Sequence, residues 1–435
     1  MKTVYSLLLL PAILLGFSCT DKYTEELTVN SPVYMSYDDL RSAVASAPAR
    51  PLVRPGKIYF KGRHLFVVEY MKGVHVIDVS NPSRPQNTGF IEIPGCADIA
   101  VKDQSLYADS FVDLVTIDIS DAANPKVTQR LSNTFSYTVP EAEDPQYPYA
   151  EVNRGKGVVV GWEIKRVTRE LVNGTTWSPG DSYHGESLKW YSMSSSSASY
   201  QVANSDGGSA AASFGKSGSM ARFGLYGKFL YIADNSMLYL FDTETPSSPV
   251  RTNTQSLSGG IETMFIYDGH MFFGTPTGMV VYSLEVPASP SFIANFWHVT
   301  SCDPVVVQDG YAYITLRSGT NCGGNTNQLD VVKISEDYKE YTLVNSYSMV
   351  NPHGLGIDGE RLFVCDGEAG LKVYDAKDRE FTARNMLASF PDIQAYDVIP
   401  ADGYLFMVGS DGFYLYDYSD PTAIRQVGHI PVEKQ

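Results

Sequence analysis

The chain has 435 residues, a formal net charge of −16, 19% charged and 43% hydrophobic residues, and 29 tyrosines. An acidic chain without clustered basic residues lacks the footprint that nucleic acid or an anionic membrane surface demands of a partner. Its tyrosine and hydrophobic content excludes disorder over most of its length and favours strands over helices, and a chain this long must be searched for internal repeats before domains are counted.

Taken from the start, Lys2 and the apolar run Val4 to Leu15 predict an export signal over residues 1–18. The run is too short to span a membrane permanently. Gly16, Phe17 and Ser18 ahead of Cys19 resemble the lipobox of bacterial lipoproteins, in which that cysteine is acylated and becomes the new N-terminus; an ordinary secretory signal is the alternative. The resemblance implies lipidation of Cys19, a polar lipid-anchored leader over residues 19–54, and attachment by lipid alone. Thr20 does not resemble the Asp that retains some lipoproteins at the inner membrane. The expected location is therefore the cell envelope at its outer membrane, with periplasmic or surface orientation open.

From residue 55 onward seven segments repeat one pattern: an apolar strand, a tight polar turn, a second strand, a Gly-rich loop and a third strand. The second strands are marked by Leu65, Leu106, Leu230, Met271, Ala312, Leu362 and Leu405, spaced by 41, 124, 41, 41, 50 and 43 residues. Seven residues before each lies an apolar site of the first strand: Ile58, Ile99, Phe223, Met264, Val305, Leu355 and Val398. A constant offset predicts a constant hairpin. Short alternating strands between Gly, Asp, Asn and Pro turns form antiparallel meanders. A single meander cannot bury both faces, but seven packed radially can.

The third strands carry Val76-Ile77-Asp78-Val79-Ser80-Asn81-Pro82 and Ile117-Asp118-Ile119-Ser120, with looser copies at Phe241-Asp242, Tyr374-Asp375 and Tyr416-Asp417. These words resemble the LVIVD-repeat proteins, a family of bacterial surface or periplasmic β-propellers, over roughly residues 55–435 apart from one insertion. The resemblance implies an all-β propeller of four-stranded antiparallel blades and no particular reaction. The repeated Asp is expected to accept turn hydrogen bonds.

Residues 136–218 are the insertion. They form either a degenerate eighth blade around Ala150-Glu151-Val152 and Val158 to Trp162, or a hairpin projecting from one face, and seven blades are favoured. Trp162, Trp177 and Trp190, with Tyr191 and Tyr200, would suit stacking on sugars or a protein. A smaller insertion in the fifth repeat carries Cys322, on the same end of the blade as Cys302. Export would allow these two to form a disulfide closing a loop of about 20 residues, worth roughly 3 kcal/mol. Cys96 and Cys365 fall in repeats that are not neighbours and are expected to be buried thiols.

The starts of the innermost strands ring the mouth of the central channel with Lys57, Asp98, Arg222, Glu262, Asp303, His353 and Asp397, the best site candidate in the chain. Of the metals, Ca²⁺ would suit Asp98, Glu262, Asp303 and Asp397, though no contiguous metal loop is visible and no cofactor is expected. There is no Gly-x-Ser-x-Gly elbow, phosphate loop or His-Glu-x-x-His pair. The expected function is a binding or scaffolding module for a glycan or envelope protein, tethered to a membrane by its lipid. The alternative is a glycan lyase or hydrolase using Asp303, His353 and Asp397 as acid and base near Arg222.

Overall fold

The computed structural model describes residues 22–122, 124–172, 216–217, 220–234, 236–257, 260–297, 304–318 and 326–433. Hairpins form where the repeat predicts them. At Asp268-Gly269, Asp309-Gly310 and Asp402-Gly403 both turn residues take positive φ, between 46° and 78°, the two-residue geometry whose twist suits paired strands. Ile58 stands opposite Val67 and Phe60 opposite Leu65. Equivalent pairs recur in every repeat, from Ile99 with Ala108 and Val101 with Leu106 to Val398 with Met407 and Pro400 with Leu405. The constant offset of the sequence is thus a constant register, and all fourteen marker residues are buried.

Seven four-stranded antiparallel blades result, each made of four consecutive strands. Blade 1 consists of Pro55–Lys61, His64–Glu69, Gly73–Asp78 and Gln86–Glu92. The innermost strands of blades 2 to 7 are Ile99–Lys102, Phe223–Tyr226, Thr263–Tyr267, Val305–Gln308, Leu355–Asp358 and Asp397–Ala401. They pack side by side around one axis, blade 7 meeting blade 1, and bury the faces that a lone meander would leave wet. No strand is shared between first and last blade. Instead Leu52 bridges Val432, Glu433 N–H donates to the Leu52 carbonyl at 2.8 Å, and Phe60 stacks on Phe406 at 4.4 Å.

Two local devices recur. The third-strand Asp is structural: Oδ1 of Asp78, Asp118, Asp242, Asp375 and Asp417 accepts the N–H two residues on, at 2.8–3.1 Å. In addition, the outermost strand of every blade carries one extra residue against its partner, a bulge that bends the edge and blunts it. In blades 1 to 3 that residue is Thr88, Thr128 or Thr252, whose hydroxyl donates to a third-strand carbonyl at 3.0, 3.3 and 3.4 Å.

Among its described residues the insertion makes neither an eighth blade nor a hairpin of its own. Val158–Val172 pairs antiparallel with Lys22–Met35, forming a two-stranded arm. Arg154–Lys156 is a 3-10 turn rather than a hairpin tip. The leader is correspondingly built into the fold over residues 22–54: after the arm strand come a helix, Tyr37–Ser42, capped by Ser36, and Ala45–Ala47, which adds to the outer edge of blade 1. Both chain segments satisfy strand edges in this way that a loose tether and a self-contained hairpin would leave open. Among the described residues no helix is long and apolar enough to cross a membrane.

Candidate binding site

The inner strands all begin at one end of the axis, the mouth. Of the seven ring residues, Asp303 lies outside the described residues. Lys57 is the third residue of its strand, Asp98, Arg222 and Glu262 immediately precede theirs, His353 stands two residues ahead, and Asp397 is the first. The structure gathers them into two sectors.

In blades 1 to 3 Asp98 is the hub. One oxygen, Oδ2, accepts from Lys57 Nζ at 2.9 Å and from the Arg222 backbone N–H at 2.5 Å, and the other accepts from Ile99 N–H at 2.8 Å. One carboxylate thus ties the starts of three inner strands. Burial pushes the Lys57 ammonium below its ordinary value, against the pull of Asp98. Beneath them Asp109 Oδ1 accepts the N–H groups of Ala97 and Asp98 at 2.7 and 2.9 Å. Desolvation drives this carboxyl up to about 6, opposed by those two amides and reinforced by the Asp98 charge.

In blades 5 and 6 the centre is Arg317, whose Nη1 lies 2.8 Å from Nδ1 of His353. His353 is 2% exposed and packs on Tyr396 with ring centroids 4.9 Å apart. Burial first, and the neighbouring guanidinium second, hold this imidazole well below its usual value and therefore neutral. Asp397 is buried at the start of blade 7. Of the residues named for acid–base chemistry, Arg222 makes its contacts in the first sector and His353 in the second, while Asp303 lies outside the described residues.

Arg222 differs from its neighbours. It is half-buried, its Nε reaches the Glu262 carbonyl at 3.4 Å, and among the described residues no carboxylate lies within ion-pair distance of its guanidinium. Burial, then the charge of Asp109, raises the Tyr70 hydroxyl, while Arg222 and Arg54 lower it and Glu141 from the insertion raises it further.

Trp162 is not the exposed stacking platform expected. Its Nε1 donates to the Pro140 carbonyl at 2.6 Å and its ring meets Tyr149 edge-on at 4.9 Å. Asn30 of the leader completes this clamp, its Nδ2 donating to the carbonyls of Asp144 and Tyr147 at 2.9 Å each. Cys19, Trp177, Trp190, Cys302 and Cys322 lie outside the described residues. Cys96 and Cys365 are buried free thiols, Cys96 Sγ donating to the Asp98 carbonyl at 3.8 Å. Among the described residues no three His, Cys, Asp or Glu side chains converge as a metal-holding group, and Asp98, one of the four carboxylates considered for Ca²⁺, is engaged by Lys57.

Sequence reasoning missed Asp109, Arg317 and Asp366. A signal for part of this existed. Glu69, Asp109 and Asp366 each stand three or four residues after a second-strand marker. Each caps the backbone entering an inner strand: Glu69 accepts Val53 and Arg54 N–H at 3.2 and 2.6 Å, and Asp366 accepts Val350 and Asn351 N–H at 3.0 and 2.8 Å.

The LVIVD repeat profile matches residues 56–90, 96–132 and 217–253, which correspond to blades 1, 2 and 3. No curated protein sequence is significantly similar to the chain. Among solved structures it is similar to the Pseudomonas aeruginosa periplasmic gluconolactonase PpgL, at 9% identity over 87% of this chain and 98% of that one with a TM-score of 0.49. It is similar also to Hsv2 of Kluyveromyces lactis, at 11% identity over 85% and 94% with a TM-score of 0.42. A third is the computationally designed protein Ika8, at 8% identity over 89% and 91% with a TM-score of 0.48. Likeness this distant says nothing of activity. The chain carries LVIVD repeats, and those repeats are blades of a seven-bladed β-propeller.

Proposed function

We propose that the protein is an exported, lipid-anchored propeller of the cell envelope, at the outer membrane, that binds a glycan or an envelope protein at its channel mouth. The observation that carries this reading is the contrast at the mouth: Lys57, Asp98 and His353 are consumed by internal contacts, while the half-buried Arg222 guanidinium lacks a carboxylate among the described residues. An arginine so placed suits bidentate recognition of a carboxylate or sugar hydroxyls. The clamp of Asn30, Tyr149 and Trp162 builds additional surface on the same end. A buried neutral His353 is poorly placed to exchange protons with a substrate, which favours binding over acid–base catalysis.

A glycan array and a panel of purified envelope proteins, probed with soluble protein lacking residues 1–19, test the reading. Binding that falls at least tenfold in Arg222→Glu and persists in Lys339→Glu, on the far end, supports it. Indifference to Arg222→Glu, or binding to neither class, overturns it. Export further implies the Cys302–Cys322 disulfide, which peptide mapping under non-reducing conditions would detect.

A further inference from the structure

We infer that the propeller stands on its membrane with the channel mouth turned toward the lipid surface, held there by the two-stranded arm. The inference rests on the proposed lipidation of Cys19 and adds to it an orientation.

The base of the arm is on the mouth end. In each blade the first strand runs away from the mouth and the second returns to it, so the connection after Ser105–Ser110 lies at the mouth. That connection supplies Phe111 and Val112, which pack with Val158 of the arm and Leu40 of the short helix. The helix is fastened there too, through Arg41 to Asp113 at 3.3 Å. Halfway along, Asn30 and Trp162 are pinned by residues 140–150, which leave blade 2 at the same end, where Phe135 N–H donates to the Val112 carbonyl at 2.9 Å. Past this clamp the arm leaves the body. Residues 163–166 are exposed, Ile164 to 51%, while the ladder continues to Lys22 opposite Val172.

From Asn30 to Lys22 the paired strand runs roughly 27 Å, at about 3.4 Å per residue. Only Thr20 and Asp21 separate Cys19 from Lys22, a reach of at most about 11 Å. A leader of unpaired coil from Thr20 to Arg50 would let the body tumble about its anchor. A paired ribbon rooted at the mouth does not. The acyl chain, the tip of the arm and the mouth therefore lie on one side of the body, and ligands of the mouth are groups presented close to the membrane.

The full-length chain, purified with its lipid from bacterial membranes, would be bound to vesicles of phosphatidylethanolamine and phosphatidylglycerol carrying a fluorescent-acceptor lipid. An azide-bearing residue conjugated to a donor dye is placed at Glu143 on the mouth end or at Lys339 on the far end, both exposed. Energy transfer several-fold greater from Glu143 than from Lys339 is expected. That difference collapses in Val167→Pro, which breaks the arm beyond the clamp and leaves the blades alone. Equal or reversed transfer in vesicle-bound protein overturns the orientation. Failure of the full chain to bind vesicles, or binding unchanged by Cys19→Ser, overturns the lipidation on which the inference stands.

Discussion

In the sector of blades 1 to 3 a buried carboxylate collects a lysine ammonium and two backbone amides, whereas in blades 5 and 6 a buried guanidinium leans on an imidazole that burial keeps neutral. The first arrangement is a charge pair, in which removing either partner strands a charge. The second has an ion and a dipole, so removing one member strands less. The described ring residues thus form two hydrogen-bonded sectors that meet around Glu262, whose charge attracts Arg317 and whose carbonyl accepts from Arg222.

The largest expected effect follows from that contrast. Asp98→Ala removes the carboxylate that faces the buried Lys57 ammonium and accepts the Arg222 and Ile99 N–H groups and should cost about 3–5 kcal/mol in urea unfolding, while replacing both side chains by apolar residues relieves the charge, still strands the two amides and should cost less. His353→Phe, which removes the acceptor in the second sector, should cost less, about 1–3 kcal/mol. Equal costs would break the comparison.

Smaller effects come from titration. His353 has a depressed folded value, so its contribution is present above about pH 6.5 and is lost as pH falls and the unfolded state takes the proton first. Melting temperatures of His353→Gln and the parent should therefore converge as pH drops from 7 to 5. Asp109 has the opposite sign. Its folded value of about 6 lies above the ordinary 3.8, so the folded state takes up the proton first and gains relative stability between those limits. Asp109→Asn keeps an acceptor for Ala97 and Asp98, should be at least as stable as the parent at pH 7, and should lose that advantage by pH 4. Parallel melting curves for either pair would contradict the assigned environments.

How far this was legible in the sequence depends on distance along the chain. The offset of seven residues between Ile58 and Leu65 and its six copies is local, and it returned as register without correction. The third-strand Asp was legible for the same reason, since its acceptor role spans two residues. The arm was not. Its strands are separated by more than a hundred residues, and alternation in Val158 to Trp162 announces a strand without naming its partner. The end of the insertion was hidden too. It leaves blade 2 at the mouth, and Lys216–Ser217 pairs antiparallel with Phe60 and Tyr59 on the inner strand of blade 1, a partner the sequence does not name. Arg317 escaped because its role depends on His353 in the next blade.

The smallest effect separates the blades that match the repeat profile from those that do not. Thr88→Val removes the hydroxyl that answers the Val76 carbonyl at the bulge and should cost about 0.5–1.5 kcal/mol. At the equivalent position of blade 4, Ile293→Val should fall at or below the low end of that range. A cost at Thr88 no greater than at Ile293 would show that the threonine adds nothing to the bulge.

The most direct test of the central claim, that the ring is scaffold and Arg222 is the contact, compares two variants on the same glycan and envelope-protein panel. Lys57→Gln with Asp98→Asn removes both charges of the buried pair and leaves one amide oxygen to accept from a backbone N–H, and Arg222→Glu reverses the half-buried charge. The account predicts binding within about threefold of the parent for the double variant and a loss of at least tenfold for Arg222→Glu. Binding abolished by the double variant and untouched by Arg222→Glu would contradict it.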